Sequence, residues 1–339
     1  MGKPVVGKLL LVASAAMGLL LFVPANSSAE EGYFNAPCRF SHRAADDPIV
    51  FPRQAGASHM HDFLGNSSTD SRSTPGSLRS SPTLCSRAAD RSAWWVPTLY
   101  ENGVALAPEV ASTYYRNGGR DPSTIEPFPF GLRVIAGNSK ATGPQDEDVV
   151  HWDCSPDSEM VLADPTAGFF RRQARRRKTM SHLDRSIARH QRALRGALGP
   201  RASRKHSRAL VRLRAQRGRL RMKPVLHGNL PLCPPGEVVN LSIQFPNCWD
   251  GTRLDSPDHQ AHMTFSVHRG EGPATCPASH PKAVPSVQLH LRYPTRGGPA
   301  VQLASGFEYS AHADFFNAWD PGGLADLVTN CINAGVGCG

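Results

Sequence analysis

The clearest structural signal in this chain is the segment Val238-Val239-Asn240-Leu241-Ser242-Ile243-Gln244-Phe245, in which apolar side chains occupy every second position from Val239 onward. Segments 261–267 and 287–293 repeat the alternation. A period of two places one face of a strand in the core and the other in water, as in antiparallel sheets. We therefore predict a mainly β (β-rich α+β) fold with an antiparallel β-sandwich or jelly-roll-like core and long loops.

The net charge of +10 is distributed very unevenly over the 339 residues. Segment 171–223 contains 20 Lys and Arg and one acid, Asp184, and so carries +19; the remainder carries 18 − 27 = −9. This segment also contains apolar residues at helical spacing on either side of Gly199-Pro200. It is therefore predicted to be a basic helical hairpin, partly disordered without a polyanion, inserted into a single β-rich domain formed by 30–170 and 224–339.

The first 29 residues are typical of a secretory signal peptide. Lys3 and Lys8 precede an apolar run over 9–23, and Ser27-Ser28-Ala29 supplies small residues at the cleavage position. The alternative is an uncleaved N-terminal anchor. The sequence predicts a secreted or extracellular protein with no transmembrane anchor after cleavage.

Eight cysteines follow the signal, and an even number in an exported chain indicates up to four disulfides. Cys331 with Cys338 and Cys233 with Cys248 are the pairs that sequence distance favours. A thiolate zinc site is disfavoured because no two cysteines have the Cys-x-x-Cys spacing.

Six ordered motifs carry a family resemblance, and they cover about 33–152 and 232–338. The motifs are His59-Met60-His61-Asp62, Trp95-Val96-Pro97, Phe245-Pro246-Asn247-Cys248-Trp249-Asp250-Gly251, Asp258-His259-Gln260-Ala261-His262, Cys276-Pro277 before His280-Pro281, and His312-Ala313-Asp314-Phe315-Phe316-Asn317 before Cys331-Ile332-Asn333. With these motifs the chain resembles a secreted domain-of-unknown-function family of bacteria and fungi. The resemblance implies a single secreted domain and no established reaction, and the basic segment departs from the family pattern.

Two of these motifs carry metal-ligand spacing. His59 and His61 are two residues apart, and so are His312 and Asp314; on a strand such pairs share a face. Three histidines and a carboxylate suit a divalent Zn, Mn, Fe or Cu ion with an open position for water or substrate. The sequence leaves two alternatives open, a purely structural role and a metal-free site in which His and Asp act as base and acid.

Asp250, Asp258 and His262 are candidate catalytic residues. Carboxylates on turns beside strands suit acid or base catalysis on a saccharide, although Asp-Gly is also a common turn pair. His262 is the best further metal ligand, and His259 and His280 rank lower. The aromatic residues that are candidates for stacking on sugars are Trp94, Trp95, Tyr114, Tyr115, Trp249 and Trp319.

No phosphate-binding loop, dinucleotide glycine motif or serine-hydrolase elbow is present, so no nucleotide cofactor is expected. Two functions are favoured: a metal-assisted hydrolase or lyase acting on an extracellular polysaccharide, or a non-catalytic envelope or carbohydrate-binding protein; a structural surface protein whose motifs only maintain the fold is a third, weaker alternative. In the second, 171–223 binds an anionic envelope polymer. The absence of aromatic residues in 171–223 disfavours base stacking, and no specific nucleic acid is expected.

Overall fold

The computed structural model describes residues 31–156, 230–268, 272–306 and 308–339. The predicted signal peptide and the predicted helical hairpin at 171–223 lie outside these ranges. The strands of the described residues are β1 Tyr33–Asn35, β2 Phe40–Ala44, β3 His61–Gly65, β4 Ala93–Pro97, β5 Leu99–Glu101, β6 Val104–Leu106, β7 Val110–Arg116, β8 Arg133–Gly137, β9 Val150–Pro156, β10 Glu237–Gln244, β11 Cys248–Trp249, β12 Met263–Thr264, β13 Lys282–Ala283, β14 Ser286–Arg292, β15 Val301–Leu303, β16 His312–Phe316 and β17 Gly337–Cys338.

Helical structure in the same ranges is short. The α-helices are α1 Pro75–Ser80 and α2 Pro321–Leu327, and a π-helical turn at Val328–Asn333 follows α2. Two 3-10 turns lie at Pro122–Thr124 and Glu308–Ser310. Strands and long loops therefore dominate, and the predicted mainly β fold with several antiparallel sheets is confirmed.

One sheet has the strand order β17-β1-β7-β14-β10-β9, and its pairs are antiparallel except for β1 with β17. Its central strands β10 and β14 carry the predicted apolar face, because Leu241 and Ile243 pair with Leu291 and Leu289 and all four are fully buried. The predicted solvent-facing side is wrong for β14, whose polar residues Gln288 and His290 are also buried. The third predicted strand, 261–267, is wrong in extent. Only Met263–Thr264 is paired as a strand, and Phe265 lies 38% exposed instead of in the core.

The second large sheet has the order β2-β3-β4-β16-β8 and is antiparallel throughout. Its central strand β4 is buried on both faces, which explains the continuous apolar run of Ala93–Pro97. Trp94 and Val96 join the main core that is shared with the first sheet. Trp95 packs on the opposite, outer face in a second core, which consists of Ile49, Phe63, Leu78, Ala93, Trp95, Phe316 and Ala318.

Four disulfides join the eight cysteines: Cys38–Cys85, Cys154–Cys233, Cys248–Cys276 and Cys331–Cys338. The predicted Cys331–Cys338 bridge is confirmed, and the predicted Cys233–Cys248 bridge is wrong. The eight residues of β10 lie between Cys233 and Cys248, and an extended strand of that length spans about 26 Å. Cys233 instead lies beside β9, which pairs with β10 and carries Cys154.

Candidate metal centre

The outer face of the second sheet brings the two predicted histidine motifs together. In β3 and β4, His61 pairs with Pro97 and Phe63 with Trp95; in β4 and β16, Trp95 pairs with Asp314. Paired residues and residues two apart share a face of a sheet. The side chains of His61, His312 and Asp314 therefore lie on the face that carries Trp95, and His59 follows from the loop before β3.

The three histidine rings form a compact group, which we call the histidine cluster (His59, His61 and His312). Their ring centroids are separated by 4.2 Å for His59 and His61, 5.0 Å for His59 and His312, and 5.7 Å for His61 and His312. One nitrogen from each ring lies within 4.8 Å of the others. The Nε2 atom of His312 is 3.9 Å from Oδ2 of Asp314, so the carboxylate adjoins the cluster.

Main-chain carbonyl groups fix the tautomers of the two most buried rings. Nδ1 of His61 lies 2.9 Å from the carbonyl oxygen of Asp46, and Nδ1 of His312 lies 2.8 Å from that of Ser310. A carbonyl oxygen only accepts, so each Nδ1 donates its hydrogen and the lone pair of the neutral ring lies on Nε2. Metal-binding histidines are held in this way by hydrogen bonds from their non-ligating nitrogen.

Three polar atoms of the group are buried without a hydrogen-bond partner among the described residues: Nε2 of His59, Nε2 of His61 and Oδ2 of Asp314. Each unsatisfied buried group costs about 1–3 kcal/mol. Their concentration at one point is unusual, because most buried polar atoms in proteins are paired. A cation bound among the three histidines would satisfy both ring nitrogens at once, and Asp314 adjoins this position through its approach of 3.9 Å to Nε2 of His312.

Burial holds the histidines in the neutral form that binds metals. It lowers the pKa of His59 and of His312 to about 4, and it lowers the pKa of His61 well below its usual range, where the neighbouring rings add to the effect. Burial, together with the charge of Asp47, raises the pKa of Asp314 well above its usual range. A divalent cation would reverse this last shift by favouring the ionised carboxylate.

The three histidine nitrogens lie within 4.8 Å of one another. Nitrogen ligands at 2.0–2.1 Å from a tetrahedral zinc lie about 3.3 Å apart, so metal binding would draw the three rings closer together. His59 is half-buried, whereas His61, His312 and Asp314 are almost fully buried. His59 is thus the ligand nearest to the surface, although its Nε2 atom is buried.

A second group with metal-ligand types consists of Cys38, Cys85 and Asp90. It does not offer a thiolate site, because Cys38 and Cys85 form a disulfide. Asp90 is fully buried beside this disulfide, and burial raises its pKa to about 7.

The two other predicted carboxylates hold turns. Asp250 accepts hydrogen bonds from the main-chain N–H groups of Thr252 and Arg253 and pairs with the Arg253 guanidinium. Burial alone would raise its pKa, but these donors together lower it to about 2. Asp258 accepts from the N–H groups of Ala261 and Gln260, which lower its pKa, and its ionised form therefore stabilises the loop. Neither carboxylate lies in the histidine cluster.

His262 is buried and already hydrogen-bonded through both nitrogens. Its Nε2 atom donates to the carbonyl oxygen of Arg133 at 2.6 Å, and its Nδ1 atom lies 2.9 Å from the hydroxyl of Ser256. This pairing docks the loop 250–262 onto β8. The structure thus does not bring His262 into the histidine cluster as a further ligand.

The aromatic residues considered for sugar stacking are mostly core residues. Trp94, Trp95, Tyr114, Tyr115 and Trp319 are all at most 4% exposed. Trp249 keeps partial exposure and donates through Nε1 to the carbonyl oxygen of Arg253.

Fold and site together define a disulfide-bonded β-sandwich protein with a buried histidine cluster and an adjoining carboxylate. A family model described as domain of unknown function (DUF1996) matches residues 47–319. The chain belongs to this family, in agreement with the resemblance seen in its motifs. Comparison with curated proteins and with solved structures gave no match.

Four disulfides are typical of proteins that fold in an oxidising compartment, so the structure is consistent with an extracellular protein. None of the helices in the described ranges has the length and apolar character needed to cross a bilayer.

Proposed function

We propose that this domain is a secreted metal-assisted enzyme whose metal is held by Nε2 of His59, His61 and His312 and by a carboxylate oxygen of Asp314. One observation carries the proposal: histidines from opposite ends of the domain converge on one buried point. Three of the four proposed ligand atoms, Nε2 of His59, Nε2 of His61 and Oδ2 of Asp314, lack a hydrogen-bond partner among the described residues. The purely structural alternative does not account for unpaired buried nitrogens, because structural histidines such as His262 use both ring nitrogens.

The donor set favours a first-row transition metal. Three imidazole nitrogens and one carboxylate suit Zn, Mn, Fe or Cu, whereas Ca²⁺ and Mg²⁺ prefer oxygen ligands. A metal in such a site lowers the pKa of a coordinated water to near 7 and polarises a bound substrate.

The proposed chemistry is hydrolysis or elimination on an extracellular polysaccharide. In hydrolysis, the water oxygen bonds to the sugar carbon as the bond to the leaving oxygen breaks; a base takes one water proton and the leaving oxygen gains one. The substrate class is supported by the predicted export and by the partial exposure of His59 and of Trp249.

Metal titration tests the site. Purified metal-free protein is titrated with Zn²⁺, Mn²⁺, Fe²⁺ and Cu²⁺ by calorimetry, and bound metal is counted by elemental analysis. We expect one equivalent in the wild type, and an affinity loss of at least about 100-fold in His61→Gln and Asp314→Asn. Absence of binding, or equal binding by these variants, overturns the proposal.

His42→Gln is the matched control. His42 lies on the neighbouring strand β2, stacks on Phe63 at 4.8 Å and bonds to the carbonyl oxygen of Thr69, outside the cluster. It should keep wild-type affinity, and melting curves of all variants exclude unfolding as the cause of a loss.

Release of reducing ends from a panel of polysaccharides, with and without metal, then tests the enzymatic part. If the protein binds metal but cleaves no polymer, the metal site is supported and the enzymatic part of the proposal is wrong.

A further inference from the structure

A buried carboxyl group lies beside the disulfide Cys38–Cys85. Oδ2 of Asp90 is 3.9 Å from Sγ of Cys38, and the two sulfur atoms and a carboxylate oxygen all lie within 4.8 Å of one another. Asp90 is 0% exposed and Cys38 is 1% exposed. In the described part of the chain, no other disulfide belongs to such a group. This bond therefore differs from the other three in the chemistry of its surroundings.

The carboxyl group of Asp90 carries a proton up to about neutral pH. Its Oδ1 atom accepts a hydrogen bond of 3.0 Å from the main-chain N–H of Ser92. Its Oδ2 atom lies against the sulfur of Cys38, which has no hydrogen to donate while the disulfide is intact. Burial raises the pKa of Asp90 to about 7, although the hydrogen bonds from Ser92 oppose the shift.

The hydrogen bond from Ser92 does not by itself require an acid at position 90. Asparagine would offer the same acceptor, without the cost of burying an ionisable group. Buried carboxyl groups whose pKa is raised toward the working pH, and which touch a reactive group, are typical general acids. The reactive group that Asp90 touches is a disulfide sulfur.

Cys85 is the accessible end of this disulfide. Cys85 is partly exposed, whereas Cys38 is buried. Disulfide exchange begins when a thiolate attacks one sulfur and the other sulfur leaves. An external thiolate therefore attacks Cys85, and Cys38 is the leaving sulfur, which is the one in contact with Asp90.

The main chain holds the two cysteines together independently of the bond between them. Cys38 and Cys85 lie directly opposite each other in an isolated antiparallel bridge. The N–H groups of Arg39 and Ser86, the residues that follow each cysteine, donate across this bridge at 3.2 and 2.8 Å. These hydrogen bonds do not involve sulfur, so the two thiols of the reduced protein stay adjacent and the disulfide can form again.

We infer that Cys38–Cys85 is an exchangeable redox disulfide, which reacts with an exported dithiol and in which Asp90 protonates the leaving sulfur of Cys38. This activity is separate from the proposed metal site and does not depend on it.

The exchange takes place in two steps. A thiolate of the dithiol bonds to Sγ of Cys85 as the bond between the two cysteines breaks, and Cys38 leaves with the electron pair and takes the proton of Asp90. The second thiol of the dithiol then attacks the dithiol sulfur that is bound to Cys85, and Cys85 leaves in turn. The dithiol is oxidised to a disulfide, and the two protons that it loses return to Asp90 and Cys85.

The other ionisable groups around Asp90 leave it as the group that titrates near neutral pH. Tyr115 of β7 is fully buried, and burial, together with the charge of Asp90, raises the pKa of its hydroxyl well above the usual range. Arg87 and Arg91, on the same segment as Asp90, direct their guanidinium groups to main-chain carbonyl oxygens. Proton transfer from Asp90 should therefore be available below about pH 7 and lost above it.

Reduction by dithiothreitol tests the inference. The full chain, treated with a chelator, is exposed to dithiothreitol between about pH 6 and 8.5; free thiols are trapped with N-ethylmaleimide and assigned by peptide mass spectrometry. Each rate is divided by the fraction of dithiothreitol that is thiolate. At about pH 6 we expect Cys38–Cys85 to open at least about tenfold faster than the other three disulfides. Its corrected rate should fall about tenfold toward pH 8.5, as Asp90 loses its proton.

Asp90→Asn is the matched variant, because it keeps an acceptor for Ser92 and removes the proton. Its corrected rate should be about tenfold below that of the wild type at about pH 6 and should not vary with pH. Asp320→Asn is the control. The main-chain N–H of Asp320 donates to the carbonyl oxygen of Ala89, next to Asp90, but its side chain is 50% exposed and caps α2. This variant should keep the wild-type rate and pH profile.

Two results would overturn the inference. If Cys38–Cys85 opens no faster than the other disulfides, or if its corrected rate in the wild type does not change with pH, the bond is structural. The wild-type profile decides this point even if Asp90→Asn fails to fold. If Asp90→Asn folds and reacts as fast as the wild type at about pH 6, Asp90 is not the proton donor.

Discussion

The ring of His61 donates through Nδ1 to the main-chain carbonyl oxygen of Asp46 at 2.9 Å. The Asp46 side chain in turn accepts hydrogen bonds from the N–H groups of Gly56 and Ser71 at 2.9 and 3.1 Å. The loop before β3 is therefore closed by the same residue that orients a proposed metal ligand. The rigidity of this loop determines where Nε2 of His61 lies.

Asp46→Ala should weaken metal binding although Asp46 is not a proposed ligand. Loss of two acceptors loosens the loop, and disturbance of groups that orient metal-binding histidines typically costs 10–100-fold in affinity. We expect a loss of about 10-fold by calorimetry, with a stability loss of about 1–2 kcal/mol. Asp121→Ala is the control, since Asp121 also accepts two bonds, both from Ser123, at a distant turn. If the two variants bind metal equally, the Asp46 loop does not position His61.

The metal-free protein should lose stability in acid because of the histidine cluster. The pKa values of His59 and His312 are lowered from 6.5 to about 4 by burial. Between these values the unfolded chain binds protons that the folded state does not. The stabilisation is therefore complete above pH 6.5 and is lost as pH falls toward 4.

Urea unfolding of chelator-treated protein across this range measures the effect. The measurement is made in the Asp314→Asn variant. The pKa of Asp314 is raised in the folded protein, so this carboxyl group stabilises the fold at low pH and would oppose the effect of the histidines. Within that background, adding His312→Gln should reduce the loss of stability in acid. An identical pH profile with and without His312 would show that the ring is not neutral in the folded protein.

Much of the sheet could be predicted from the sequence, because alternation along β10 and β14 reflects one buried and one polar face. The segment 261–267 shows the limit of this signal. Its apolar spacing is equally regular, but His262 is drawn into the interior by two hydrogen bonds and Phe265 faces solvent. Hydrogen bonds to main-chain carbonyl groups that are far away in the sequence produce no periodic pattern of residues.

The same limit applies to the site. The spacing of His312 with Asp314 correctly predicts that both lie on one face of β16, and the sheet order brings them to His61 across β4. His59 instead lies in the loop before β3, so the strand spacing predicted for His59 and His61 is wrong for His59. The roles of Asp46 and Ser310 were missed because they act through main-chain carbonyl groups, which any residue supplies. The contact of Asp90 with Cys38 likewise depends on tertiary packing over a separation of 52 residues.

Asp250→Ala should destabilise the loop without affecting the metal. Asp250 holds the N–H groups of Thr252 and Arg253, while the proposed ligands lie on β3, β16 and the loop before β3. We expect a melting temperature lower by a few degrees, as a loss of about 1 kcal/mol produces in a domain of this size. Metal affinity should stay within about twofold of the wild type by calorimetry. A large loss of metal affinity would instead show that Asp250 contributes to the metal site.

Removal of the basic segment 171–223 should leave the fold and the histidine cluster intact. Strands β9 and β10 pair antiparallel from Pro156 with Glu237, and Cys154 and Cys233 are joined with their Cα atoms 5.7 Å apart. The chain therefore leaves and re-enters the sheet at one place, and the twenty residues of 157–170 and 224–229 suffice to reconnect it.

We expect the deletion variant to keep four disulfides by mass spectrometry and metal affinity within about twofold of the wild type. The segment carries +19 against −9 for the remainder, and polyanion binding through counterion release weakens steeply with salt. The full chain should therefore elute from heparin only at high salt, and the deletion variant should not be retained. If the deletion variant fails to fold, 171–223 belongs to the domain core. If it binds heparin as the full chain does, the remainder of the chain binds the polyanion despite its net negative charge.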